Sequence, residues 1–243
     1  TGAGIGGGEK SSCSTITING GIVTASIKGG GFWSNECNSA AIGNGGQNRG
    51  DRDYDVTTVG TIVINGGSVN ATGMWWGAGI GGGNGGIGEN IKITDGTVNA
   101  TGGWGGAGIG GGDGGYGGYG NGKNITIIGG TVTAGGGYRG AGIGGGISGS
   151  GKNITITGGT VNADGGTNAA GIGGGATGSG SNVTVSGAAQ VTAIAGKSNG
   201  YYGAGATIGN GGDFTGSENV DGKEIQADIS RVTTGYIHHI IYD

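Results

Sequence analysis

The sequence predicts an all-β chain: a right-handed parallel β-helix (β-solenoid) of about seven three-strand coils with a C-terminal cap. Three observations predict it. A Gly-rich block recurs, as "GAGIGGG" at 2–8, 77–83, 106–112 and 140–146, "AAIGNGG" at 40–46, "AAGIGGG" at 169–175 and "GAGATIGNGG" at 203–212. A second motif lies between these blocks, as "TITINGGIVTA" (15–25), "TIVINGGSVNA" (61–71), "NIKITDGTVNA" (90–100), "NITIIGGTVTA" (124–134), "NITITGGTVNA" (153–163) and "NVTVSGAAQVTA" (182–193). The isoleucines that anchor the Gly-rich blocks (Ile5, Ile42, Ile80, Ile109, Ile143, Ile172 and Ile208) are 37, 38, 29, 34, 29 and 36 residues apart. Self-similarity at such a period means stacked repeats.

Alternation assigns the faces. In "NITITGGTVNA", Ile154, Ile156, Val161 and Ala163 share one side, and Thr155, Thr157, Thr160 and Asn162 share the other. The intervening "GG" supplies the backbone angles of a bend. In "GAGIG", Ala and Ile alternate with Gly, so the third strand also turns its apolar residues inward. Its glycines are then expected to face outward, leaving a third wall nearly free of side chains. Stacked at roughly 4.8 Å per coil, the rod would be on the order of 35 Å long. Residues 1–212 are read as the repeats. Residues 213–243 break the pattern and are read as capping strands of the same domain, since a solenoid must cover its open core.

Composition excludes several classes. Gly is 74 of 243 residues, but there is no Pro and no three-residue period, so collagen is excluded. Only 11% of residues are charged, and Ile and Val recur regularly, which argues against disorder. "GAGIGGG" contains the G-x-G-x-x-G spacing of a dinucleotide site, yet it recurs coil after coil with no helix pattern following it, and that reading fails. A net charge of −4 offers no basic stripe for nucleic acid. No apolar run reaches membrane-spanning length, so no membrane insertion is expected. The chain opens at "TGAGIGGG", inside a repeat, as a mature product or an excised piece would.

The units "GAGIGGG" and "ITITGGTVNA", over residues 1 to about 212, resemble Gly-rich repeats of secreted and cell-wall-attached surface proteins of Gram-positive bacteria. They also resemble the G-L-x-G repeats of bacterial adhesins and surface peptidases. The resemblance implies a β-solenoid at the cell surface with an adhesive or carbohydrate-binding role. It carries over no catalytic residues.

Candidate sites follow from register. The residue three before each Gly-rich block's Ala is Trp75, Trp104, Tyr138, Thr167 and Tyr201, with Trp76 and Tyr202 adjacent and Trp33 in the first insert. Such residues form a column along one edge. It is either a stacked ladder tying coils together or a platform for the apolar faces of sugars, with the Gly wall beside it. Trp75, Trp76, Trp104, Tyr138, Tyr201 and Tyr202 are therefore the candidate ligand-binding residues, for a polysaccharide or surface glycan. Few charges lie near them in sequence, so binding is expected to be nearly independent of salt.

Asp51, Asp53 and Asp55 have the D-x-D-x-D spacing that begins a calcium loop. Val56 stands at the glycine position and Ile62 at the closing Glu position, so at most a weak Ca²⁺ site is expected, and no other cofactor. Cys13 and Cys37 flank the first insert, either as a disulfide worth roughly 3 kcal/mol or as two free thiols. His238 and His239 are adjacent on an expected strand and so point opposite ways, which makes a poor metal site. No nucleophile–base set stands out, and the 11 basic residues do not recur in register, so an enzyme is not expected. Two further readings stand beside glycan binding. One is end-to-end stacking into a surface filament. The other is ice binding through the outward Thr/Asn ladders, which Val63, Lys92 and Ile128 interrupt.

Overall fold

A computed structural model describes residues 2–28, 38–47, 57, 60–114, 120–215 and 217–241. Within them the chain is all-β, and no helix is long and apolar enough to cross a membrane. Three parallel sheets run the length of a stacked-coil solenoid, with seven, six and seven strands. Sheet A is built from two-residue strands, Ile5–Gly6, Ile42–Gly43, Ile80–Gly81, Ile109–Gly110, Ile143–Gly144, Ile172–Gly173 and Ile208–Gly209. Sheet B runs from Thr15–Ile18 to Gly180–Val185, and sheet C from Ile22–Ser26 to Tyr236–Ile240.

The register is like on like. Ile109 pairs with Ile80 and Ile143, Ile125 with Ile91 and Ile154, and Val132 with Val98 and Val161. Each inward position of the repeat thus becomes a column of like apolar residues, Ile giving way to Val at Val183 and Val185, and only the closing strand sets a His opposite an Ala. From Ile42 to Ile208 these columns are buried and join in one core. Burying each Ile or Val contributes on the order of 1.5–3 kcal/mol, which no single coil could collect without its neighbours.

Sheet B shows why Asn precedes each "IT". Asn90, Asn124, Asn153 and Asn182 all have φ between 53° and 56°, a left-handed conformation Asn tolerates better than most residues. Their side chains form a ladder: Nδ2 of Asn124, Asn153 and Asn182 donates to Oδ1 of the preceding Asn at 3.3, 3.1 and 3.1 Å. Asn124, Asn153 and Asn182, each of which opens an Asn-x-Thr sequon, are therefore corner residues.

Sheet A departs from expectation. Its isoleucines point inward as predicted, but the flanking glycines do not leave a bare outer wall, because residues 77–86 are all buried. The chain on either side of each Ile packs backbone against backbone on the coils above and below. Gly103, Gly137 and Gly166 N–H groups donate to the carbonyls of Gly77, Gly106 and Gly140 at 2.9, 3.0 and 3.0 Å. Asp113 N–H donates to the Trp76 carbonyl at 2.7 Å, and Gly114 N–H to that of Ile147 at 2.9 Å. A second laddered layer results, and it satisfies the polar backbone that a bare wall would leave open. Gly81 shows why side chains are excluded. Its φ is +133°, and a Cβ there would collide with the carbonyl oxygen of Gly110.

After Ile208–Gly209 the repeat ends. An antiparallel pair, Asp213–Thr215 with Glu218–Val220, is followed by a segment bridging Asp228 to Thr184 and Val232 to Gly187. The strand Tyr236–Ile240 then completes sheet C beside Gln190–Ile194. Ala227 joins the core, and Ile225, Val232 and Ile237 pack against it.

Candidate functional site

The aromatic residues sit where each coil leaves sheet C for the glycine layer. Gly105 N–H donates to the Trp75 carbonyl at 2.7 Å and Arg139 N–H to the Trp104 carbonyl at 3.2 Å. These bonds place Trp75, Trp104 and Tyr138 at equivalent positions of successive coils. Trp104 and Tyr138 stack with centroids 5.2 Å apart and planes at 28°. A shallow groove of about 330 Å³ runs along this edge, lined by Met74, Trp75, Trp104 and Tyr138 over Gly73, Gly102, Gly103 and Gly137. Its floor is glycine because turns stack there. A Cβ on Gly137 would run into the carbonyl oxygen of Gly103.

The six candidate residues do not form one surface. Trp76 is only 5% exposed and meets the Trp104 ring edge to face at 4.7 Å and 80°, inside the layer. Trp75 has φ of +47°, and this left-handed residue sends the two neighbouring indoles to different sides. Trp76 is thus an internal staple, while Tyr138 is 41% exposed and its stacking on Trp104 also serves as a ladder between coils. Thr167 interrupts the column. Beyond it Tyr201, 70% exposed, and Tyr202 gather around Phe214 with centroids 5.8 and 6.4 Å away. Buried Asn168 holds their loop by donating to the carbonyls of Tyr202 and Gly203 at 2.9 and 2.8 Å. Asn199 Oδ1 accepts from the N–H groups of Tyr201 and Tyr202, both at 2.9 Å.

The residue that joins the two aromatic groups is one the sequence reading missed. The Arg139 guanidinium carbon lies 4.5 Å from the Tyr202 ring centroid and 5.6 Å from that of Tyr138. The only signal was its place beside Tyr138 in "GGGYRGAG", and a single Arg makes no repeat. It is one of the few charges expected near the rings, and it lies directly against two of them.

Other candidates fall elsewhere. Asp51, Asp53 and Asp55, and likewise Trp33 and Cys37, lie outside the described residues. Cys13 is buried with a free thiol, and burial pushes its pKa up. His238 faces outward and stacks on Tyr236 at 4.4 Å, whereas His239 occupies the inward column of Ala193 and meets the Thr207 hydroxyl through Nδ1. Among the described residues no group of three His, Cys, Asp or Glu side chains is placed to hold a metal. The Thr/Asn ladders are real columns on sheet C, with Asn99 Nδ2 donating to Asn70 Oδ1 at 2.9 Å.

A second concavity of about 680 Å³ opens at the C-terminal end between Thr207, Glu224, Ile229, Val232, Tyr236 and His239. In earlier coils the N–H of sheet A's Ile donates to a carbonyl of the next coil, as Ile172 does to Thr207 at 2.9 Å. At the last coil the Glu224 carboxylate takes that part. It accepts from Thr207 N–H and from Ile208 N–H, the latter at 3.0 Å, and so finishes the sheet edge.

Stacked parallel coils and an aromatic groove on one edge define a β-solenoid of the repeat class. Residues 16–46, 62–84, 91–113, 125–147 and 154–176 match the Beta helix repeat family, just over half of the chain, and the protein belongs to that family. No curated protein and no solved structure shows significant similarity to the chain.

Proposed function

We propose that this chain is a non-catalytic, extracellular carbohydrate-binding module of an adhesive surface protein, of the kind Gram-positive bacteria attach to their walls. One observation carries the reading. Trp75, Trp104 and Tyr138 line an open groove over a glycine floor on successive coils. Coils advance by roughly 4.8 Å, comparable to one residue of an extended polysaccharide, so a linear glycan would run parallel to the rod and touch several coils. Aromatic faces already covered by stacking are closed to it, and the ligand would lie across exposed edges and the outer faces of Trp75 and Tyr138.

The test is calorimetry with neutral and acidic oligosaccharides of increasing length, before and after Trp104→Ala. Each lost ring contact is expected to cost on the order of 1 kcal/mol, and long oligomers should lose far more affinity than monosaccharides. A Trp104→Ala variant that melts earlier but keeps every affinity would make the column a staple alone.

A filament subunit is the second reading, and the ends of sheet C favour it. Ile22 is 86% exposed on its first strand, while Tyr236, Ile240 and Ile241 are exposed at its last. Positions between them in the column of Ile22 are Ser68, Thr97, Thr131, Thr160 and Gln190. Negative-stain microscopy and sedimentation across a concentration series distinguish a filament from a monomer.

A further inference from the structure

A column of buried polar side chains lies beside the apolar core, inside the glycine layer. The residues that follow the successive heptads are Gln47, Asn84, Asp113, Ile147 and Ala176. Backbone bonds stack them in that order: Gln47 N–H donates to the Asn84 carbonyl at 3.3 Å, Gly85 N–H to that of Asp113 at 2.8 Å, and Gly114 N–H to that of Ile147 at 2.9 Å. Ile147 and Ala176 show that the position accepts an apolar residue. The earlier coils nevertheless carry two amides and a carboxylate there, with Gln47 and Asn84 0% exposed and Asp113 1%.

Gln47, Thr57 and Asn84 leave polar atoms unmatched. Asn38 Nδ2 and Asn84 Nδ2 both donate to the Gln47 carbonyl, at 3.0 and 2.8 Å. Those bonds gather two side-chain amides at one point and fix their orientation, so Asn84 Oδ1 is the end of its amide that has no hydrogen bond. Gln47 makes none through either atom of its amide, and the buried Thr57 hydroxyl makes none. Thr57 belongs to the same place, since its Oγ1 lies 2.9 Å from where a Cβ on Gly86 would stand, and Gly86 N–H closes the turn around Asn84 by donating to the Gly83 carbonyl at 2.8 Å. The Asp113 side chain enters this layer beside Trp76: Asp113 Cβ and Trp76 Cε3 lie 3.1 and 2.9 Å from the position of a Cβ on Gly105. Buried groups left in this way lose their hydration and gain nothing for it unless a ligand reaches them.

The donor set names that ligand. Carboxylate, amide and hydroxyl oxygens suit a hard cation, and no thiolate or imidazole stands among them for zinc. Ca²⁺ accepts about six to eight oxygens in flexible geometry, Asn, Gln and backbone carbonyls included, whereas Mg²⁺ demands a near-octahedral shell and keeps several waters. We propose that Gln47, Thr57, Asn84 and Asp113 form an internal Ca²⁺ site that ties the first coils together. Counting acidic side chains passes over it, because amides and a hydroxyl supply most of its oxygens. Its donors are buried, so the ion is taken up as the coils close. With a single carboxylate the site belongs at the weak end of Ca²⁺ affinities, with a Kd on the order of 10⁻⁴–10⁻³ M.

The experiment melts the whole chain after refolding in EDTA, in Ca²⁺ or in Mg²⁺. At about 10 mM, Ca²⁺ should raise the melting temperature by roughly 3 to 10 °C, as mass action requires at that affinity, and Mg²⁺ should not. Asp113→Asn and Asn84→Ala should each lose most of the rise, while a chain carrying Asp51→Asn, Asp53→Asn and Asp55→Asn should keep it. Tb³⁺ luminescence on tryptophan excitation gives a second readout, which Trp76 beside Asp113 should sensitise and Ca²⁺ should displace. Equal melting with and without Ca²⁺ overturns the inference and leaves the buried groups to ordered water. So does a rise that Mg²⁺ matches, one that survives both Asp113→Asn and Asn84→Ala, or one that only the triple Asp variant abolishes. If the site variants fail to fold, the Tb³⁺ signal decides. A signal that Ca²⁺ does not displace, or that Trp76→Phe leaves intact, overturns the site.

Discussion

Single side chains in this protein act by breaking the repeat. Trp75 and Trp76 are adjacent and chemically identical, yet one lines the groove and the other is sealed inside. Arg139, Asn168 and Glu224 each occur once and make contacts that no repeated residue makes. Asp164 is a similar exception, and its effect on stability has a definite sign. It stands in sheet C between Gly135 and Ile194, where its side chain stays exposed at one edge and partial desolvation by the neighbouring coils raises its pKa above the usual 3.8. Desolvation penalises the charged form, so the folded state holds the proton more tightly than the unfolded chain does. The resulting destabilisation is absent below the unfolded pKa and develops as pH rises through the folded one. Asp164→Asn should therefore melt at a higher temperature than the parent at pH 7, with the gap closing near pH 3.5. Scanning fluorimetry at the two pH values checks this, and a gap that persists at low pH would point to a cause other than charge.

At the scale of the element, the repeat works because each repeat strand buries like on like, Ile or Val on Ile or Val and Ala on Ala. The "ITI" and "TVNA" strands were legible because Ile, Val and Ala alternate with Thr and Asn, and a period of two states which side is inside. The heptads were legible only at their Ile. Glycine has no side chain to alternate, so nothing in "GAGIGGG" could say whether its outer side meets water or more backbone. The structure puts backbone there, which turns the glycines from a surface into a packing requirement. Gly81→Val should accordingly be among the most damaging single changes outside the Ile columns. It adds both a disfavoured φ and a collision with Gly110, and a loss of several kcal/mol is expected, on the order of a severe core lesion. Urea denaturation measures it. A variant as stable as the parent would mean that the glycine layer opens at little cost.

For the molecule as a whole, the open question for any solenoid is its ends. Here Ala227, Ile225, Val232 and Ile237 lie against the last core residues while the Glu224 carboxylate finishes sheet A. Removing residues 213–243 should uncover the isoleucine columns and produce concentration-dependent aggregation by light scattering. A truncated chain that stays soluble and monomeric would deny this segment a capping role. The sequence by itself determined the stack: its period, its three strands per coil and the residues of its core. It could do so because each coil repeats the same apolar choices at the same places. Only the tertiary structure decided which indole faces out, that glycines from successive coils interlock as a second layer, and that one arginine stands between two aromatic clusters. Those outcomes depend on turn geometry and on contacts between coils about 30 to 60 residues apart, and neither leaves a periodic trace along the chain.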